Sequence, residues 1–237
     1  MLVITADQEG SRHGVDRVPE ALDVLEGVPV LLPFVRTVGD ELQGVPEDAA
    51  AALEACLRLV RLGGWSIGVG VGPGRLASTA PESAGEAFVR ARAAVERAKG
   101  RTVPLPLAIE AAPSGGGVGP DADVAGTAGV AGTAGARGRA ERGSAEGLAG
   151  REVPTGPAGA AAVEPLVHLL AAVVAARSDT AWRVLDLLAT GTTGVEVARE
   201  LRISPQAVSK HRRAALWDTE QAARPVVARL LAALDGR

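Results

Sequence analysis

Polar and basic side chains are concentrated on one short predicted helix near the C-terminus. Ser204 and Pro205 predict where this helix starts, because serine caps helix N-termini and proline fits the first turn. The helix then carries amide, hydroxyl and cationic groups, the types that read base edges and neutralise phosphates in a major groove. The candidate surface for double-stranded DNA consists of five residues of this helix and two that precede it. They are Thr192, Ser204, Gln206, Ser209, Lys210, Arg212 and Arg213.

Two earlier predicted helices position that basic helix. The first is capped by Ser178 or Asp179, and its predicted buried stripe is Trp182, Leu185 and Leu188. The second has apolar residues at helical spacing, so its predicted core positions are Val195, Ala198 and Leu201. Arg202 occupies a turn position where glycine is common, and a left-handed backbone there would cost about 1–2 kcal/mol. The three helices predict a helix-turn-helix; the alternative is an amphipathic helix pair with surface arginines.

Charge is distributed unevenly along the 237 residues. The net charge of −3 argues against a nucleic-acid partner, but residues 160–237 carry ten Lys and Arg against eight Asp and Glu. That part therefore has a charge of +2, and the remainder has −5. Because so small a positive charge implies few phosphate contacts, a homodimer with two basic helices is expected.

The single cysteine, Cys56, excludes an internal disulfide and a cysteine-based zinc site. No run of 18 uncharged apolar residues is present, and residues 1–10 lack a signal-peptide pattern. These observations predict a soluble cytoplasmic protein with no membrane partner.

The pattern of elements predicts an α+β protein in three parts. Residues 1–111 alternate as β α β β α β α β, the order of a ferredoxin-like sheet, with Pro46 opening one helix and Gly63 closing it. Residues 112–160 are rich in Gly, Ala and Pro, repeat a hexapeptide at 124–129 and 130–135, and predict a disordered, flexible linker. Residues 161–237 form the all-α helix-turn-helix domain, in which His168 is expected to pack in an apolar helix.

Two aspartates of the first domain could do metal chemistry. Asp7 follows the first predicted strand, and Asp40 lies at the tip of a predicted hairpin beside it. Paired carboxylates at neighbouring strand ends can hold Mg²⁺ against a nucleotide. Equally, Asp40 can serve a Gly-Asp turn while Asp7 caps a loop.

The same segments carry a family resemblance. FVRTVGDE resembles the KTIGD hairpin of class III nucleotide cyclases, and ADQEGS resembles their ADIVGF first strand. With SIGVGVGPG and SAGEAFVRARAAV, the first domain resembles the SatD family, which pairs a cyclase-like domain with a C-terminal helix-turn-helix. The resemblance covers about residues 2–99 and 179–234. It implies a nucleotidyl cyclase-like fold, with Asp7 and Asp40 as metal ligands.

Further residues extend this comparison. Arg36 stands where adenylate cyclases read adenine with a lysine, and the candidate ligand-binding residues are Arg12, Arg36 and Glu41. The transition-state asparagine and arginine of the cyclases fall at Val89 and Ala93, which cannot supply those contacts. A DNA-binding transcriptional regulator with a ligand-sensing or dimerising first domain is therefore favoured over an enzyme. The alternative is a metal-dependent nucleotidyl cyclase or transferase with a DNA-binding regulatory domain. A scaffold whose helix-turn-helix binds protein is a third interpretation.

Overall fold

The computed structural model describes residues 1–11, 14–100, 105–113 and 154–235. The fold is mixed α+β, which confirms the predicted class. The first part of the chain consists of β1 (Leu2–Gln8), α1 (Val18–Leu25), β2 (Val30–Arg36), β3 (Glu41–Pro46), α2 (Ala49–Leu62), β4 (Trp65–Val71), α3 (Glu86–Lys99) and β5 (Leu107–Ala111). Helices follow: α4 (Gly156–Ala175), α5 (Asp179–Ala189), α6 (Gly194–Glu200), α7 (Pro205–Ala214) and α8 (Trp217–Ala233).

The strands form one mixed sheet in the order β2-β3-β1-β4-β5. Neighbours from β2 to β4 are antiparallel, and β5 is parallel to β4. Side chains alternate between the two faces, so Ile4 of β1 belongs to the core beneath α1 and α2, whereas Val3 packs towards α3. Helix α3 lies directly on β4. The approach is so close that a Cβ at Gly68 would come within 2.3 Å of the Val95 backbone nitrogen.

One predicted helix boundary is wrong. Pro46 ends strand β3, and α2 begins at Ala49. The cap is Asp48, whose carboxylate accepts a hydrogen bond of 2.8 Å from the Ala51 N–H. An aspartate cap satisfies a free helix N–H, which proline cannot do. The predicted stop is confirmed, because Gly63 follows the helix with a φ of 70°.

Helix α4 starts at Gly156, inside the segment 112–160 that was predicted to be linker. Residues 114–153, including the hexapeptide repeats, lie outside the described residues. The helix covers the free edge of β5: the Glu164 carboxylate accepts 2.7 Å from the Ile109 N–H, and His168 Nε2 lies 2.7 Å from the Leu107 carbonyl oxygen. Exposed strand edges invite pairing with other chains, so this contact protects the sheet.

The Glu164 carboxylate also binds Arg97 of α3, with 2.9 Å between Oε1 and Nη1. Burial raises the pKa of Glu164, but the Arg97 and Ile109 hydrogen bonds outweigh it and hold the pKa below its usual value. The same arginine donates 2.8 Å to Glu110 of β5. This cluster ties α3, β5 and α4 together.

The C-terminal helices share a hydrophobic core with the sheet domain. Buried residues of α4 and α8, among them Val167, Ala171 and Leu231, join the cluster that contains Leu53 and Leu57 of α2. The predicted linker segment gives no sign of these contacts, because its composition does not report how the parts on either side of it pack. By length and composition α4 could cross a membrane, but it packs on β5 and α2 as a core helix does, so the fold is compatible with a soluble protein.

Cys56 is expected to resist thiol reagents in the folded state. Its side chain is fully buried in α2, and burial raises the pKa of the thiol to about 12. At a given pH the reactive thiolate is about a thousandfold scarcer than at the ordinary pKa of 9.0. Reaction with 5,5′-dithiobis(2-nitrobenzoic acid) at pH 8 should be slow in buffer and immediate in 6 M guanidinium; a fast reaction in buffer would contradict this burial.

Candidate nucleic-acid interface

Helices α5, α6 and α7 pack around a small apolar core of their own. Its buried members are Val184, Val197, Ala198 and Val208, with Leu187, Leu188, Leu201 and Ile203 packed at the margin. The predicted buried stripe of α5 is incomplete, because Val184 is fully buried and Trp182 only partly so. The prediction for α6 is wrong at Val195, which is 60% exposed. Since α6 begins at Gly194, Val195 lies in the first turn on the outside, and Val197 takes the inner position.

The turn between α6 and α7 is closed by two backbone hydrogen bonds. The Ile203 N–H donates 2.9 Å to the Ala198 carbonyl, and the Arg202 N–H donates 3.3 Å to the Arg199 carbonyl. Together with a left-handed Arg202 (φ 54°), this is the Schellman pattern that ends helices, with Ile203 packed against the helix it leaves. The strain anticipated at Arg202 is therefore present, and the turn fixes the angle between the two helices.

Substituting Arg202 with glycine should stabilise the protein. Glycine adopts a left-handed backbone without the steric cost of a Cβ, about 1–2 kcal/mol, although its freer unfolded chain offsets part of the gain. We expect a net increase of about 0.5–1 kcal/mol in the free energy of unfolding, measured by urea denaturation. Arg202→Ala keeps the Cβ and should show no such gain; equal effects of both substitutions would rule out backbone strain at this turn.

Helix α7 presents a polar and basic stripe to solvent. Gln206, Ser209, Lys210 and Arg213 are all exposed and follow i, i+3, i+4 and i+7 spacing, so they lie on one side of the helix. The opposite side inserts Val208 into the three-helix core. Lys210 and Arg213 form no ion pair within the described part of the chain. Their charges are thus free to meet an anionic surface.

The remaining predicted DNA contacts differ in their surroundings. The Ser204 hydroxyl caps α7 by accepting 3.1 Å from the Ala207 N–H. Thr192 lies just before α6, 2.9 Å from the Thr190 hydroxyl. Arg212 is on the side of α7 that faces α8, where its guanidinium binds Asp218 with 3.0 Å between Nε and Oδ2. Hydrogen bonding to Asp218 raises the pKa of Arg212. Gln206, Ser209, Lys210 and Arg213 therefore share one side of α7, whereas Arg212 is 47% exposed and lies apart from them on the side towards α8.

A buried arginine fixes where α7 ends. Arg177, between α4 and α5, donates 3.1 Å and 3.0 Å from Nε and Nη2 to the Ala215 carbonyl, and Nη2 lies 3.4 Å from Glu220 of α8. Both side chains are 1% exposed. Burial lowers the pKa of Arg177, and the Glu220 charge opposes that shift. The sequence offered no sign of this pair, since isolated charges next to helix ends are usually solvated.

The predicted metal site has a different arrangement from the one expected. The register places Glu41 opposite Asp7, whereas Asp40 lies beyond it and accepts 3.2 Å from the Gln8 N–H through its carbonyl. Asp7 binds Lys99 of α3, with 2.9 Å between Oδ2 and Nζ. Burial lowers the pKa of Lys99, but its hydrogen bonds with Glu96 and Asp7 outweigh that and raise it, so the lysine stays charged.

Within the ranges described, no group of three or more His, Cys, Asp or Glu is placed to hold a metal. The donor set does not fit Mg²⁺ as it stands, because Mg²⁺ needs free oxygen ligands and a lysine already neutralises Asp7. The Mg²⁺ and nucleotide site remains a prediction that requires Lys99 to leave Asp7.

The candidate ligand residues are not brought together. Arg36 lies opposite Leu42 and binds Asp16 before α1, with 2.5 Å between Nη2 and Oδ2; this contact lowers the pKa of Asp16. Glu41 accepts 2.6 Å from the Thr37 hydroxyl and lies 4.0 Å from Arg92 of α3. Arg36 and Glu41 thus face opposite sides of the sheet. Arg12 lies outside the described residues.

Comparisons with protein-family models, with curated proteins and with solved structures found no match to this chain.

Proposed function

We propose that this protein is a DNA-binding transcriptional regulator and that α5, α6 and α7 form its helix-turn-helix. The exposed stripe of Gln206, Ser209, Lys210 and Arg213 on α7 carries the proposal. In a helix-turn-helix, the helix after the turn, here α7, enters the major groove and reads base edges with side chains of these types. Arg and Lys pair with guanine, and glutamine pairs with adenine, so the stripe offers both readout and phosphate contact.

The local geometry supports a rigid reading helix. Ser204 caps α7, the Schellman turn sets its angle to α6, and Thr193 forms a capping box with Glu196 at the start of α6. A hydrogen bond from Thr193 to Glu196 holds the pKa of that carboxyl below its usual value. Because the cap and the turn already hold α7 in place, the helix loses little conformational freedom when it binds DNA. A smaller entropy loss favours affinity.

We propose that the sheet domain is a ferredoxin-like, nucleotidyl cyclase-like platform for ligand sensing or dimerisation. The strand order β2-β3-β1-β4 and the connection of these strands through α1 and α2 support the first description. The modest charge of the C-terminal part supports a homodimer with two reading helices on double-stranded DNA.

The enzymatic alternative, a metal-dependent nucleotidyl cyclase or transferase, has less support. Asp7 is neutralised by Lys99, and α3 carries Val89, which is 62% exposed, and Ala93 where the resembled cyclases have their asparagine and arginine. Neither side chain can stabilise charge in a transition state. A binding role for this domain requires no such group.

Selection from a random duplex library tests the proposed function. The full chain, immobilised, should enrich duplexes that share a half-site, repeated with two-fold symmetry about one helical turn apart if two copies bind. The Lys210→Glu variant, which reverses one charge on the stripe, should enrich no such sequence. Enrichment of the same half-site by both proteins, or no enrichment by the unmodified chain, would contradict the proposal.

A further inference from the structure

A cleft opens where the sheet domain meets the C-terminal helices. Its volume is about 720 Å³, and its walls come from α1, α2, α4, α5 and α8. Small-molecule sites commonly lie in such clefts between structural units, at volumes of about 300–1,000 Å³. It lies on a different part of the chain from both the α7 stripe and the predicted Asp7 site, and none of the predicted functional residues lines it.

The polar walls of the cleft carry an excess of positive charge. Three arginines line it, Arg58 and Arg61 from α2 and Arg224 from α8, against two carboxylates, Glu54 and Asp186. Burial raises the pKa of Glu54, but hydrogen bonds and charges of Arg58 and Arg224 outweigh this and lower it, so the carboxylate is ionised. Behind the lining, Arg177 lies against Trp182 and Trp217 and shares Glu220 with Arg224, so four arginines around the cleft face three carboxylates. An anion is therefore favoured over a cation.

The apolar walls are suited to a flat ring. Trp182 and Trp217 line the cleft together with aliphatic side chains such as Leu57 and Val174. Cation–π contact already occurs here, because the Arg61 guanidinium carbon lies 3.9 Å from the centre of the Trp182 ring. Next to both tryptophans, Arg177 Nη1 is buried and has no hydrogen-bond partner among the described residues. The surroundings combine aromatic surface with unused donor capacity.

We propose that this cleft binds a small organic anion that joins a planar aromatic ring to an acidic group, such as an aromatic carboxylate or a nucleotide. The acidic group binds Arg61 and competes with Asp186, whose two oxygens each lie 2.7 Å from that guanidinium. A planar guanidinium fork suits this exchange, because carboxylate and phosphate bind it in the same two-point geometry. The ring packs against the tryptophan surface.

Occupancy would act on the contact between α2 and α5. The Arg61–Asp186 pair and the Arg61–Trp182 stack join those helices, and α5 is the first helix of the three-helix unit. A ligand that takes over Arg61 weakens both contacts at once. Its binding can be measured without DNA, so this inference stands or fails separately from the proposed function.

Isothermal titration calorimetry of the full chain tests the proposal with four probes. Salicylate and adenosine monophosphate each join a ring to an acidic group; benzyl alcohol has only the ring, and acetate only the acid. At least one of the first two should bind one per chain with a Kd below about 1 mM, and the controls at least tenfold more weakly, a difference of about 1.4 kcal/mol. Which of the two binds distinguishes a carboxylate ligand from a nucleotide.

Two variants and a matched control locate the site. Arg61→Gln removes the guanidinium that should bind the acidic group. Ala189→Glu adds a negative charge at the rim of the cleft without breaking an ion pair. Each should weaken binding at least tenfold, whereas Arg183→Gln, on the exposed side of α5 and outside the cleft, should leave it unchanged. The proposal is overturned if neither aromatic anion binds saturably, or if Arg61→Gln and Ala189→Glu both bind as Arg183→Gln does.

Discussion

Substituting Glu220 with glutamine should destabilise the protein by about 3–5 kcal/mol. The substitution keeps the shape of the side chain but removes the charge that balances Arg177, whose side chain is 1% exposed. A buried ion that loses its partner retains its desolvation cost, and this asymmetry makes the single change severe. Glu220 also accepts hydrogen bonds from Arg224 and Gln221, so the loss extends along α8. Urea denaturation followed by far-ultraviolet circular dichroism measures the effect.

The control is Asp218→Asn, an acid on the same helix whose side chain is 64% exposed and bound to Arg212. Exposed ion pairs contribute little, so its effect should stay below about 1 kcal/mol. Arg177→Met combined with Glu220→Leu should cost less than the two single changes added together, because no unbalanced charge remains. Additive losses in this cycle would show that the pair is not coupled.

Substituting Lys210 and Arg213 together with alanine should lower the affinity for duplex DNA at least tenfold. Both side chains are exposed on the α7 stripe and form no ion pair in the described part of the protein, so their loss should remove the proposed phosphate contacts without disturbing the core. Fluorescence anisotropy with a labelled duplex measures the affinity. Arg183→Ala with Arg229→Ala removes the same charge from exposed positions on α5 and α8, and should change the affinity much less.

Arg212 has the charge of a DNA-contacting residue but an intramolecular partner. Its charge and position suggested a DNA contact, yet Asp218 of the next helix binds it. Leu216, left-handed with a φ of 50°, separates α7 from α8, and Asp218 in the first turn of α8 contacts Arg212 across this turn. Helical spacing within α7 separates Arg212 from the stripe, but it does not identify the partner. Arg212→Ala is therefore a weaker test than Lys210→Ala with Arg213→Ala.

The order of strands and helices up to β5 could be predicted from alternation, caps and turn residues, because these signals are local. The pairing of Asp7 with Lys99 could not, since it joins residues 92 positions apart that only the packing of α3 on the sheet brings together. The alternation of apolar and polar residues predicts that Asp7 and Asp40 lie at the ends of neighbouring strands. A shift of one residue in the strand register decides whether Asp40 or Glu41 lies opposite Asp7. The register selects Glu41.

The packing of α4 on the sheet domain could not be predicted from amino-acid composition. Residues 156–160 are Gly, Pro and Ala, which suggest linker, yet α4 starts there because Ala160 and Val163 can be buried. Glycine even assists, since a Cβ at Gly159 would lie 1.8 Å from the Pro154 carbonyl oxygen. Tertiary burial outweighs weak local propensity when small residues allow close approach. The cleft beside α2 follows from this packing, and no local pattern predicts it.

The salt dependence of DNA binding tests the central claim most directly. The logarithm of the association constant should fall linearly with the logarithm of salt concentration, and the slope should be shallower by about 2 for Lys210→Ala with Arg213→Ala, since each phosphate contact contributes about 0.9. Arg183→Ala with Arg229→Ala should keep the slope of the unmodified chain. Equal slopes for all three proteins, or no saturable binding to duplex at low salt, would contradict a role for α7 in binding DNA.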